Sequence, residues 1–238
     1  MPRDRGSFRD FRHRLRGREH LLGTFIKTPT THATEIFGLL GFDFVVFDQE
    51  HAPLGREALD VMILGSRAAN VAGIVRVGDP SEANILSVLD CGATGVLVPH
   101  VDTAEKARAI AGACRYRRGR RGFANTTRAG QFGGLSFAEH MDRQDSEICC
   151  VAMIEDLSAL DQIDSIVRVE GIDAIFIDWI PVLPSGSPSA QRTQRRQNRR
   201  FACRDFAGGN SDAHVLSKRL RELLERRHRR EPHEAVIA

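Results

Sequence analysis

Gly41-Phe-Asp-Phe-Val-Val-Phe-Asp-Gln-Glu-His51 is the stretch on which the fold turns. Phe44 to Phe47 form an unbroken apolar run rich in Phe and Val, the composition of a strand buried on both faces. Such strands belong to parallel sheets covered by helices. Gly41 closes a preceding helical stretch that Thr30 or Thr31 can cap. The same shape returns as Gly171-Ile-Asp-Ala-Ile-Phe-Ile-Asp178.

Outward from this stretch, strand-type and helix-type runs alternate. Strands are predicted over 21–28, 42–48, 73–77, 95–99, 148–155 and 172–178. Helices are predicted over 30–40, 56–70, 80–90, 102–116, 136–145 and 157–169. No G-x-G-x-x-G follows the first strand and no G-x-x-x-x-G-K-[ST] occurs, which excludes dinucleotide and P-loop readings. Repeated units with acidic residues at strand ends favour an α/β fold of the (β/α)8 TIM-barrel kind. Only six units are visible, so the last two β/α units are degenerate or missing. From 179 the chain turns rich in Pro and Arg, with five Arg between 192 and 200. That abrupt change is what a shift of reading frame in the gene would produce. Residues 179–210 read as mostly irregular, and 212–230 as a helix with Val215, Leu216, Leu220, Leu223 and Leu224 on one face. The expected division is a basic arm or helix at 1–20, a barrel body at 21–178 and a divergent basic tail at 179–238.

The chain has 238 residues, 42% hydrophobic and 27% charged, enough for one large domain with a full core. Its net charge of +3 is unevenly spread. Residues 1–20 carry seven Arg against three acids, and 191–238 carry 13 basic residues against six acids, while the body is acidic. Basic ends suit nucleic acid. With one Tyr, one Trp and no zinc-type spacing, they read instead as solvated arms. Apolar runs such as 148–154 fall far below the ~18–20 residues of a membrane helix. Five cysteines without a C-x-x-C pair read as reduced thiols, and no secretory h-region follows the N-terminus, so the expected location is cytoplasmic.

In a β/α barrel the chemistry sits at the C-terminal strand ends. Those ends supply Asp48, Gln49, Glu50 and His51; Arg76; His100; Glu155 and Asp156; and Asp178. His51 beside two carboxylates suits a general base, against the plainer reading of a surface histidine. Arg76 lies inside an apolar run and needs an anion, either an internal acid or a substrate carboxylate. Glu155 either caps the next helix or offers oxygen to Mg²⁺. His100 reads as a structural polar contact. Asp43 and Asp173, at the opposite face, read as structural, and Cys149 and Cys150 as core. The run Arg115 to Arg128 reads as a phosphate grip, a solvated loop, or a mobile loop over the mouth.

These residues, in order, resemble the HpcH/HpaI aldolase family, metal-dependent pyruvate aldolases of the citrate lyase β-subunit superfamily. The similar segments include LLGTFIKTPTTHATEIFGLLGFDFVVFDQEHAPLGREAL, GATGVLVPHVDTAEKARA and RYRRGRRGFANTTRAGQFG, within residues 21–177. The resemblance implies a homo-oligomer, a hexamer with an exchanged C-terminal helix, and a divalent cation, Mg²⁺ or Mn²⁺. It implies reversible cleavage of 2-keto-4-hydroxy acids to pyruvate and an aldehyde. By position His51 matches the catalytic base, Asp48 and Glu50 its carboxylate neighbours, and Arg76 the arginine on the pyruvyl oxygen. Arg76 and Gln49 are the expected substrate contacts, and Glu155 the first metal ligand. Two departures stand out. Met153 occupies the place of the family's Gln, and Pro181 that of the second metal-binding Asp, which leaves Asp178 as the substitute. The competing readings are a catalytically impaired relative, an acyl-CoA lyase and an arginine-rich nucleic-acid binder.

Overall fold

Side chains of a strand point alternately to its two faces, so each predicted strand contributes one row to the barrel interior and one to the surrounding helices. A computed structural model of the chain describes residues 6–156, 158–177 and 200–203. In order these form α1 (Phe11–Arg16), β1 (Gly23–Ile26), α2 (His32–Leu39), β2 (Phe44–Asp48), α3 (Arg56–Ala68), β3 (Ala72–Arg76) and α4 (Glu82–Asp90). Then follow β4 (Gly95–Val98), α5 (Ala104–Ala113), α6 (Phe137–Glu147), β5 (Cys149–Ile154), α7 (Ala159–Val167), β6 (Ala174–Ile177) and β7 (Arg200–Cys203). The helix starts carry chemical reasons. Ser81, Thr103 and Ser136 each accept a backbone N–H of the first turn, and Glu139 completes a capping box on α6.

Strands β1 to β6 lie side by side in chain order, all parallel. The result is an α/β fold with a parallel half-barrel of six strands. The outward row, including Val45, Phe47, Val75, Val96, Ala152 and Ile175, packs on the helices through Leu59, Ile63, Ile85, Leu89 and Ile163. The inward row, including Phe44, Val46, Ile74, Leu97, Val151 and Phe176, forms a second cluster. Gly23 makes room for it, because a Cβ there would lie 2.1 Å from the Phe44 ring.

The seventh strand departs from the barrel rule. β7 pairs with β6 antiparallel, Ile177 opposite Arg200, where a further β/α unit would place a parallel strand. It falls within the stretch read as mostly irregular. Asp178, Pro181 and the helix expected over 212–230 lie outside the described residues.

The N-terminal segment also differs from expectation. It is no solvated arm. Phe11 and Leu15, one helical turn apart, are buried and close the lower end of the inward cluster, with the Phe11 and Phe44 ring centroids 5.3 Å apart. Burying two such side chains contributes roughly 1.5–3 kcal/mol each. The arginines between them reach the two aspartates at the lower strand ends. Arg12 Nε donates to Asp173 and Arg14 Nη2 to Asp43, both at 2.8 Å. Asp43 also accepts the Leu22 amide, and Asp173 the Cys150 amide and Arg115. Cys91, Cys114, Cys149 and Cys150 are free and buried. Among the described residues no helix is long and apolar enough to cross a membrane.

Candidate active site at the strand ends

Followed upward, the inward rows end in charge. Gly23 and Phe25 lead to Lys27; Phe44 and Val46 to Asp48; Ala72 and Ile74 to Arg76; Cys149, Val151 and Met153 to Glu155. Parallel pairing puts Asp48 directly beside Arg76. Arg76 Nε donates to Asp48 Oδ1 at 2.8 Å, and Nη2 to Oδ2 at 2.5 Å, a bidentate pair with both side chains buried. The guanidinium also lies over the Phe25 ring at 5.1 Å. Lys27 Nζ stands 3.1 Å from Asp48 Oδ2, and the His51 amide donates to Oδ1 at 3.1 Å. Burial alone would push the Asp48 carboxyl upward. The Arg76 hydrogen bonds, the His51 amide and Lys27 outweigh it and hold Asp48 down at about 2.

The buried guanidinium therefore finds its anion inside the protein. The internal acid expected as one partner of Arg76 is Asp48.

Glu50 links this pair to two imidazoles. Its Oε2 is 3.2 Å from Arg76 Nη1 and 3.8 Å from His51 Nε2, and its Oε1 is 3.6 Å from His100 Nε2. His100 meets two more carboxylates. Its amide donates to Glu155 Oε1 at 2.9 Å, and its Nδ1 lies 3.1 Å from Asp156 Oδ2. The Asp156 hydrogen bond raises the His100 pKa most. Partial burial opposes it, and the charges of Glu155, Asp156 and Glu50 reinforce it.

Lys27, Asp48, Arg76, Glu50, His51, His100 and Glu155 thus gather at one mouth. Gln49 is not part of it. Its side chain turns toward Asn84 of α4 at 3.5 Å, on the other face of the strand. Met153 is buried in the inward cluster below Glu155. His100, expected as a structural polar contact, makes such contacts through its amide to Glu155 and its ring to Asp156. Lys27 was legible from the period of two along β1.

The arginine-rich run is tied down by ion pairs within the chain. Arg115 pairs with Asp173, Arg117 with Asp142, Arg118 with Glu170, Arg120 with Glu82, Arg121 with Asp90 and Arg128 with Asp60. Six guanidinium groups are matched by six acids of the same chain.

A divalent cation needs several oxygen ligands. Glu155 is one candidate, but its Oε1 already accepts the His100 amide. Among the described residues no three His, Cys, Asp or Glu side chains are arranged to hold a metal ion. Glu155 alone does not make up a cation's ligand set, and the second expected ligand, Asp178, lies outside the described residues.

The half-barrel of parallel β/α units collects imidazoles, carboxylates and a buried arginine at its C-terminal strand ends, where β/α-barrel enzymes carry their chemistry. The chain belongs to the HpcH/HpaI aldolase/citrate lyase family, whose profile matches residues 21–178. The match ends where the composition changes. A 2-keto-3-deoxy-L-rhamnonate aldolase of Shigella sonnei is 33% identical over 208 residues, 84% of this chain and 77% of that protein. A hydroxypyruvate/pyruvate aldolase of Sagittula stellata is 32% identical over 178 residues, 74% of this chain and 68% of that protein. The crystal structure of an HpcH/HpaI aldolase from Desulfitobacterium hafniense superposes with a TM-score of 0.66 at 27% identity. It covers 70% of this chain and 64% of its own.

Proposed function

We propose that this chain cleaves 2-keto-4-hydroxy acids, of the 2-keto-3-deoxy sugar acid class, to pyruvate and an aldehyde. The observation that carries the reading is the contact chain His51–Glu50–Arg76–Asp48 at the strand ends of a member of the aldolase/citrate lyase family. His51 takes the proton of the 4-hydroxyl. The O–H electron pair becomes the aldehyde carbonyl, and the C3–C4 pair moves between C3 and C2 as the bond breaks. Negative charge collects on the 2-oxygen as an enolate, and the proton that His51 took, returned to C3 directly or through water, gives pyruvate and restores the base. Glu50 orients the His51 ring, and Asp48 fixes the His51 backbone through its amide. We assign Arg76 to the 2-oxygen. Asp48 and Glu50 offset much of its charge, so it orients that oxygen more than it neutralises it.

The family is generally dependent on a divalent cation, which supplies electrophilic stabilisation when bound. A cation of the Mg²⁺ or Mn²⁺ class would take Glu155 and need a further ligand, for which Asp178 is the candidate. We also propose a (β/α)8 ancestry with the last two units degenerate or missing, a hexameric homo-oligomer and a cytoplasmic setting. The four free buried cysteines support the last.

A catalytically impaired relative is the second reading, favoured by the antiparallel β7. The acyl-CoA lyase and nucleic-acid readings lose support because the loop arginines, and Arg9, Arg12 and Arg14 of the N-terminal segment, are paired within the chain. Pyruvate release from a panel of 2-keto-3-deoxy sugar acids, followed with lactate dehydrogenase in Mn²⁺ or EDTA, separates the readings. Release that His51→Ala abolishes supports the aldolase. No release by the unaltered protein with Mn²⁺ supports the impaired relative, and release unaffected by His51→Ala removes His51 as the base.

A further inference from the structure

Burial sorts the mouth by depth. The Asp48 and Arg76 side chains are 0% and 1% exposed, Glu50 13%, Asp156 43%, and His51 and His100 56% and 57%. A keto acid whose 2-oxygen reaches Arg76 and whose 4-hydroxyl meets His51 has its remaining carbons at the rim. His100 stands at that rim, at the end of β4.

Its backbone is unusual. His100 adopts φ +54°, the left-handed region that glycine occupies freely and other residues enter at a cost. The backbone groups account for the turn: the amide donates to Glu155, and the carbonyl accepts from Lys106 Nζ at 3.3 Å. Glycine would make both backbone contacts without strain; the imidazole adds contacts of its own, Nδ1 lying 3.1 Å from Asp156 and 3.4 Å from Glu155. Left-handed Asn70 uses its side chain to hold the Phe8 amide and the Gly6 carbonyl. An observed outlier at a strand-end site points to function. Asp156 holds the His100 Nδ1, Glu50 Oε1 lies 3.6 Å from Nε2, and the His100 and Asp156 side chains are 57% and 43% exposed, so an imidazole and a carboxylate face solvent together. That mixture of donor and acceptors matches hydroxyl groups, which both give and accept hydrogen bonds.

We propose that His100 is a specificity-determining residue that hydrogen-bonds the hydroxyls on the aldehyde-forming half of the substrate. The proposal rests on the aldolase reading for the orientation of the ligand. It selects polyhydroxylated chains over those that end in a methyl group.

The test compares two ligands by calorimetry in a His51→Ala background, where cleavage does not consume them. One is a 2-keto-3-deoxy sugar acid. The other is 4-hydroxy-2-ketopentanoate, which has no hydroxyl beyond C4. Adding His100→Gly weakens the sugar acid about tenfold, equivalent to about 1.4 kcal/mol, and shifts the pentanoate less than twofold. His100→Asn, which tolerates the left-handed backbone and keeps a hydrogen-bonding side chain, restores part of the loss. The melting temperature of His100→Gly does not fall, because the strain is relieved. Equal weakening of both ligands, no change in either, or a sugar acid that the parent does not bind would overturn the proposal. Cleavage assays on unaltered protein run alongside. If it cleaves neither ligand the aldolase reading fails, while the binding comparison still decides the role of His100.

Discussion

Asp48→Asn keeps the shape of the side chain, removes one negative charge and strands the Arg76 guanidinium in a site that is 1% exposed. A carboxyl held at about 2 instead of its ordinary 3.8 corresponds to roughly 2–3 kcal/mol of folding free energy. Breaking a buried pair from one side typically costs ~3–5 kcal/mol. Glu50 remains near Arg76 Nη1 and recovers part of that. The expected loss is therefore about 2–4 kcal/mol, read as a fall in the urea midpoint at unchanged slope. Adding Arg76→Met removes the stranded charge and recovers much of the loss, since an apolar pair of similar volume is often as stable as a buried ion pair. The pH dependence has a definite sign. Asp48 is depressed in the folded state, so its contribution is present above pH 3.8 and disappears as pH falls toward about 2. The Asn variant loses that part of the acid slope. A cost below about 1 kcal/mol, or a double variant no better than the single one, would refute the pairing argument.

Phe11→Ala opens a void beneath the inward cluster and should cost about 3–5 kcal/mol in the same unfolding assay. Arg121 is fully buried between Asp90 and Gln144 and lies over the Tyr116 ring, so Arg121→Ala should destabilise by ~2–4 kcal/mol. Arg118→Ala, at an exposed pair with Glu170, should leave the urea midpoint unchanged. His140 is buried, which depresses its pKa from 6.5. Its stabilisation is complete above pH 6.5 and is lost as pH falls toward the folded value, and His140→Leu should flatten that part of a melting-temperature profile.

Much of this site could be read from the period of two. Phe44-x-Val46-x-Asp48 and Ala72-x-Ile74-x-Arg76 have the same form, so their terminal charges had to meet once the strands paired in register. What stayed hidden was which acid answers which base. Arg117 finds Asp142 25 residues away and Arg128 finds Asp60 68 residues away, distances over which local pattern carries no information. The N-terminal helix was masked differently. Its Phe11 and Leu15 are a helical apolar pair, but seven arginines around them dominated the composition. Arg200–Cys203 is a four-residue strand paired on the edge of β6, inside a stretch whose composition is rich in Arg and Pro.

The account stands or falls on whether the mouth breaks a carbon–carbon bond. Proton NMR of purified protein incubated with Mn²⁺ and a 2-keto-3-deoxy sugar acid measures both products at once. The account predicts pyruvate and aldehyde appearing in equal amounts, and neither from the His51→Ala protein. Substrate unchanged after prolonged incubation, or pyruvate formed at the same rate without the His51 imidazole, would contradict it.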